Sequence, residues 1–224
     1  MRTIREKLWH FLFPEKCLLC RRILEDDELD LCHSCRIDMP ECPPSGKKLA
    51  FIDSWAAVWY YDGKARSSLL RYKFQGARSY AQGYGRLLAM KLMQTHPEGF
   101  DLITWVPVSS LRKFSRGFDQ VELLANAVGQ ELGMKPARLL RKIRHNRRQS
   151  RIKGDAQRRA NVLGVYRAEQ PQLLSGKRIL LLDDIITPGA TVGECARILL
   201  TAGAKEVHCG AVATSRPKAN RKVR

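Results

Sequence analysis

Two groups of residues in this 224-residue chain have types and spacing that could do chemistry. The first is Asp183-Asp184, at the end of the apolar run Arg178-Ile-Leu-Leu-Leu and followed at once by Thr187-Pro188-Gly189-Ala190-Thr191. Paired carboxylates accept hydrogen bonds from a diol. A small-residue loop opening a helix presents free backbone N–H groups and a positive dipole end to a phosphate. Gly189 permits close backbone approach, and Thr187 and Thr191 add hydroxyl donors. A ligand with a phosphate at one end and a diol beside it would use both halves. The second group is Cys17-x2-Cys20 and Cys32-x2-Cys35, whose spacing lets four thiolates converge tetrahedrally on one zinc ion. With four protein ligands such a zinc keeps no open position and is structural. His33 fits less well as a ligand. Cys42 stands alone, and Cys195 and Cys209 lie on a helix and a strand where packing is the better reading.

The elements that must position these groups follow from the apolar patterns. RILLLDD reads as a strand buried on both faces of a parallel sheet, with its two acids at the C-terminal end, where ligands of open α/β sheets bind. A helix from about 192 to 202 follows the loop, and EVHCGAVAT reads as a final strand. Upstream, DSWAAVWYYD and DLITWVPV read as strands, and 64–74, about 79–95 and 119–132 as helices. The alternation predicts an α/β fold with a parallel sheet. Pro40, Pro43, Pro44 and Gly46 mark a boundary between a module at 1–48 and a larger domain at 49–224. Leu8, Trp9, Phe11, Leu12 and Phe13 form a short amphipathic helix rather than a signal peptide, because His10 and Pro14 interrupt the patch. No apolar stretch is long enough to span a bilayer, so a cytoplasmic setting with reduced cysteines is expected.

The charge is lopsided: 40 Lys and Arg oppose 22 Asp and Glu, for a formal net of +18. Such an excess favours polyanionic partners without choosing among them. Ten basic residues lie between Arg138 and Arg159, Arg144, Arg147, Arg148, Arg151 and Lys153 among them, and a basic tail spans 216–224. These cations could touch nucleic acid or simply be solvated. Trp55, Trp59, Tyr60 and Tyr61 could stack on bases, but alternating aromatics in a strand are more often core.

The acid pair and its loop closely resemble the phosphoribosyl-pyrophosphate (PRPP) motif of phosphoribosyltransferases. The resemblance implies that Asp183 and Asp184 hold the ribose hydroxyls and that Thr187, Gly189, Ala190 and Thr191 bind the 5′-phosphate. Pro188 departs from the threonine usual in that motif, and it removes one N–H donor from the loop. Together with the four-cysteine knuckle, Leu70-Arg71-Tyr72-Lys73, Trp105-Val106-Pro107-Val108, Arg116-Gly117-Phe118-Asp119-Gln120, Gln149 and Arg159-Ala160-Asn161-Val162, the motif resembles the ComF/GntX family. Asp119 stands where that family usually has asparagine, and Cys42 is all that remains of a second cysteine cluster, so one zinc is expected.

The resemblance implies a type I phosphoribosyltransferase-like sheet flanked by helices and a role in competence and DNA uptake. Val108 and Ser109 would lie where pyrophosphate binds. Arg116 could steady pyrophosphate or pair with Asp119, and 141–160 would take the place of a hood over the site. Magnesium would accompany PRPP. In a transferase the two acids would be catalytic, stabilising positive charge at C1 as pyrophosphate leaves. Two readings stay open: a competence protein binding PRPP and single-stranded DNA, with a DNA-uptake helicase or other competence protein as partner, or a transferase acting on an unidentified acceptor.

Overall fold

The computed structural model describes residues 14–39, 42, 48–109, 114, 117–144, 146, 152, 154–187 and 189–216. The two most continuously apolar runs take the middle of the sheet. These are β5 (Arg178–Ile186) and β6 (Glu206–Thr214), flanked by β1 (Ser54–Tyr60) and β2 (Leu102–Trp105) in the order β1-β6-β5-β2, all parallel. Central strands are covered on both faces and so cannot alternate apolar with polar residues. Every residue of β6 after Glu206 is buried.

On one face lie α3 (Tyr80–Thr95) and α4 (Gln120–Glu131), with α2 (Gly63–Phe74) contributing Leu69 and Tyr72 to the same core. Helices α3 and α4 approach closely because Gly85 has no side chain; a Cβ there would lie 2.5 Å from that of Ala127. On the other face, α6 (Ala190–Thr201) packs with Leu139, Leu140, Val165 and Tyr166 around Ile179, Leu181 and Val207. Four of those residues belong to an antiparallel pair, β3 (Leu140–Lys142) with β4 (Tyr166–Ala168), or flank it, and α5 (Asp155–Val162) lies between the two strands. The sequence shows none of these three elements, because three-residue strands carry no periodicity and the segment is dominated by cations. No helix among the described residues is long and apolar enough to cross a membrane.

At the sheet end away from the acid pair, His96 and His208 are buried with ring centroids 4.9 Å apart. Both rings hydrogen-bond the Ser54 hydroxyl, and Glu206 Oε2 lies 3.4 Å from His208 Nε2. Burial first, and then the charge of His208, lower the pKa of His96, while Glu98 acts in the opposite sense. An unfolded histidine takes up its proton near pH ~6.5, so the unfolded chain binds protons that the fold refuses. Stability should therefore be full above that pH and fall as pH drops from it toward the depressed folded value. Melting curves between pH 5 and 8 should show this loss in the wild type and a smaller one in His96→Gln; equal losses would remove His96 as its source.

Candidate ligand site and metal cluster

The acid pair sits where β5 loses a neighbour. Strand β2 ends with Trp105 opposite Leu182, and Val106 N donates to Leu182 O at 2.9 Å. Among the described residues, β5 is paired from Asp183 onward with β6 alone, and that pairing runs on to Ile186 opposite Thr214. The acids are therefore within the strand rather than at its end, which corrects the sequence expectation. The strand continues because Ile186 remains buried against the α6 side of the sheet. Among the described residues, β5 has no strand partner on its β2 side beside the carboxylates. Val108 and Ser109 lie in the 106–109 segment, Ser109 buried.

Two side chains from other elements converge on Asp184. Lys73, in the last turn of α2, places Nζ 2.8 Å from Asp184 Oδ2, and both groups are largely buried. Gln120, the first residue of α4, donates Nε2 to the same oxygen at 3.3 Å. Its Oε1 is buried and has no hydrogen-bond partner among the described residues. The Tyr72 hydroxyl donates to Gln120 O at 2.5 Å. The neighbouring Asp119 caps α4 by accepting from Val121 N at 3.0 Å and Glu122 N at 3.2 Å. Burial raises the Asp119 carboxyl above its usual range despite those amides.

Asp183 is raised further. Burial comes first and the Asp184 charge second, opposed by Lys73 and by the Asp184 amide, which donates to Asp183 Oδ1 at 2.8 Å. Two carboxylates this close resist carrying full charge together without a cation. Lys73 supplies one positive charge beside them.

Beyond β5 the backbone turns at Gly189, whose φ of +82° is one that L side chains rarely adopt; a Cβ there would meet Leu49 Cδ2 at 2.7 Å. Gly189 is the N-cap of α6, and a glycine cap has no side chain to occupy the first-turn amides. Thr187, Ala190 and Thr191 surround that helix end, an arrangement that can receive an anion.

Cys17, Cys20, Cys32 and Cys35 place all four sulfurs within 4.8 Å of one another. The Cys20–Cys32 pair is 3.6 Å apart, close to the ~3.8 Å edge of a tetrahedron with metal–sulfur bonds of about 2.3 Å. The donor set fits a thiophilic ion. Burial pushes the Cys32 thiol up, but the Cys35 amide, the Cys20 thiol and Arg22 outweigh it and bring the pKa to about 6. Burial holds Cys20 and Cys35 above the usual thiol range. The short helix α1 (His33–Asp38) begins at Cys32. The cluster is tied into the main core: Leu18, Leu19, Leu24 and Leu31 share one apolar cluster with Trp59, Leu69 and Tyr84. Ser68 Oγ donates to Leu18 O, and Arg71 Nη2 donates to Leu18 O at 2.9 Å and Leu19 O at 2.8 Å.

The structure thus brings together Asp183, Asp184, Thr187, Gly189, Ala190, Thr191, Val108 and Ser109 at one end of the sheet and gathers the four cysteines elsewhere. Arg116, Pro188, Arg147, Arg148, Arg151, Lys153, the 1–13 patch and the 217–224 tail lie outside the described residues. Arg144 is exposed just beyond β3, its amide 3.4 Å from Val165 O. Cys195 and Cys209 are buried, as packing predicts, with burial raising both thiols. Sequence reading assigned no role to Lys73 or Gln120. Both lie within the family-like segments LRYK and RGFDQ, and that was the available signal.

Comparison with known proteins shows what the chain is similar to. Residues 122–224 match the phosphoribosyl transferase domain model. The DNA utilization protein YhgH of Salmonella typhi is 30% identical over 217 residues, covering 87% of this chain and 94% of that protein. The competence protein ComFC of Streptococcus pneumoniae is 30% identical over 227 residues, covering 86% and 96%. The chain belongs to the ComF/GntX family. A further ComF/GntX relative, competence protein F of Haemophilus influenzae, is 25% identical over 224 residues, covering 87% of this chain and 95% of its own. The chain carries both a phosphoribosyltransferase-like parallel sheet and a four-cysteine cluster.

Proposed function

We propose that this ComF/GntX protein binds PRPP with magnesium at the Asp183–Thr191 site, carries structural zinc on its four cysteines, and acts in the cytoplasm in DNA uptake, binding single-stranded DNA. The observation that carries the PRPP reading is the stretch of β5 beyond its pairing with β2, where two carboxylates adjoin a glycine-capped helix start. Asp183 and Asp184 would accept from the ribose hydroxyls, and the amides and hydroxyls of Thr187, Gly189, Ala190 and Thr191 would hold the 5′-phosphate. Val108 and Ser109 would border the pyrophosphate, joined there by Arg116. Magnesium, when bound, offsets the pyrophosphate charge. The unpartnered Gln120 Oε1 would gain a donor from a ligand hydroxyl or a bound water. The residues fit magnesium as a companion of the ligand, since a hard cation takes carboxylate and phosphate oxygens together.

The competence role rests on the relatives named for competence and DNA utilization. The single-stranded DNA reading rests on the +18 charge and the cations between 138 and 159, Arg144, Arg147, Arg148, Arg151 and Lys153 included. A module at 1–48 and a PRPP-binding domain at 49–224 are the organisation we infer, with a DNA-uptake helicase as a candidate partner.

Calorimetry with Mg–PRPP tests the central claim. Wild type should bind, and Asp184→Asn should weaken binding by at least ~10-fold, the equivalent of one charge-assisted hydrogen bond of about 1.5–3 kcal/mol. Folded, metal-loaded wild type that gives no heat at any pH from 6 to 8 would remove the PRPP reading.

A further inference from the structure

A cavity of about 730 Å³ lies between the cysteine module and the helices α2 and α3, apart from the acid pair. Its size is within the ~300–1,000 Å³ range of small-molecule sites. Leu18, Leu24 and Gly83 form a buried floor, while Lys16, Arg21, Gln75, Ser79 and Gln82 are exposed around it.

Four cations line the cavity against two acids. Arg86 and Asp30 neutralise each other through Nε–Oδ2 at 2.9 Å and Nη2–Oδ1 at 2.5 Å. That leaves Lys16, Arg21 and Arg71 facing the single acid Glu15. Lys16 and Arg21 make no ion pair among the described residues. Arg71 bonds only the carbonyls of Leu18 and Leu19 there, and its Nε is buried without a partner. A buried guanidinium N–H left unpaired is a donor awaiting an acceptor. Arg21 has φ of +70°, a region that favours glycine, so a charged side chain is kept where the backbone prefers none. Its neighbour Arg22 is already engaged by Glu25 and Glu28. Tyr80, half-buried in the same wall, carries the Arg71 guanidinium 5.8 Å from its ring centroid.

We propose that this cavity is a binding site for single-stranded nucleic acid, with backbone phosphates on Lys16, Arg21 and Arg71 and a base against Tyr80. The inference rests on the single-stranded DNA reading and moves its contact surface from the 138–159 cations alone to the junction of the cysteine module with α2 and α3. Sequence-tolerant single-strand sites combine these two parts, a cationic track and an aromatic platform. Free inorganic phosphate would use the cations without the ring.

Fluorescence anisotropy of a labelled oligo-dT decides the matter, using the metal-loaded full chain. Lys16→Gln with Arg21→Gly should weaken binding by at least ~10-fold and flatten the slope of log K against log salt by about 0.7 for each phosphate no longer neutralised. Tyr80→Leu should weaken binding and leave the slope unchanged. Metal content and melting temperature establish that each variant is folded, and Arg21→Gly suits the left-handed backbone. Wild-type affinity and slope in the folded double variant would overturn the site. If removing the cations at 144, 147 and 148 abolishes binding in that case, the DNA reading survives without the cavity. If the wild type binds no oligonucleotide, both fall and the PRPP reading stands. Competition by inorganic phosphate as strong as by oligo-dT would make the cavity a simple anion site and overturn the nucleic-acid assignment.

Discussion

Replacing Cys32 with serine should strip the metal from the N-terminal cluster and lower the melting temperature by about 10 °C or more, at about 2–4 °C per kcal/mol. Serine offers a harder, far less acidic oxygen, and three remaining sulfurs do not close a tetrahedron around the ion. The loss does not stop at the module. Leu18, Leu19, Leu24 and Leu31 are packed into the core that also holds Trp59, Leu69 and Tyr84. Burial of each such leucine is worth about 1.5–3 kcal/mol, so loosening the knuckle uncovers part of the sheet's own support. Metal analysis beside a thermal melt checks both effects. A metal-free variant that melts with the wild type would show that packing alone sustains the segment.

Lys73→Met should cost about 3–5 kcal/mol, the usual penalty for leaving one partner of a buried ion pair behind. Asp184 would keep a carboxylate with only the Gln120 amide as a side-chain donor. Adding Asp184→Asn to Lys73→Met should restore most of the stability, because the amide carries no charge to strand. Urea unfolding of wild type, both single variants and the double variant gives the coupling directly. Strictly additive losses would mean that the lysine and the acid do not act as a pair. Stability regained in the double variant will not bring ligand binding back, since the carboxylate is gone.

The contrast between β5 and the rest of the site shows what the sequence could reveal. The run from Ile179 to Leu182 is apolar without a break, and the acids, the glycine and the two threonines follow within one stretch, so local pattern alone places them. The four cysteines are legible for the same reason: their geometry is carried by short spacings. Lys73 and Gln120 are not local. They reach Asp184 from two different helices, and Gln120 is 64 residues away along the chain. Only tertiary packing brings both to the one carboxylate. The pairing of β3 with β4 was hidden differently, by strands of three residues inside a segment whose cations signal loop. The packing of the cysteine module against the sheet's helices was equally out of reach, since a proline-rich boundary looks like a separation whether or not the two sides touch.

Three consecutive side chains at the end of α2 face three ways. Arg71 holds the carbonyls of Leu18 and Leu19, Tyr72 holds the carbonyl at the start of α4, and Lys73 holds Asp184. A ligand that takes Asp184 from Lys73 therefore disturbs the turn whose preceding residue grips the cysteine knuckle. Such coupling is reciprocal in free energy. With the metal and the ligand proposed above, the rate at which a chelator draws out the metal becomes a gauge of what occupies the acid pair, readable without any label on the ligand.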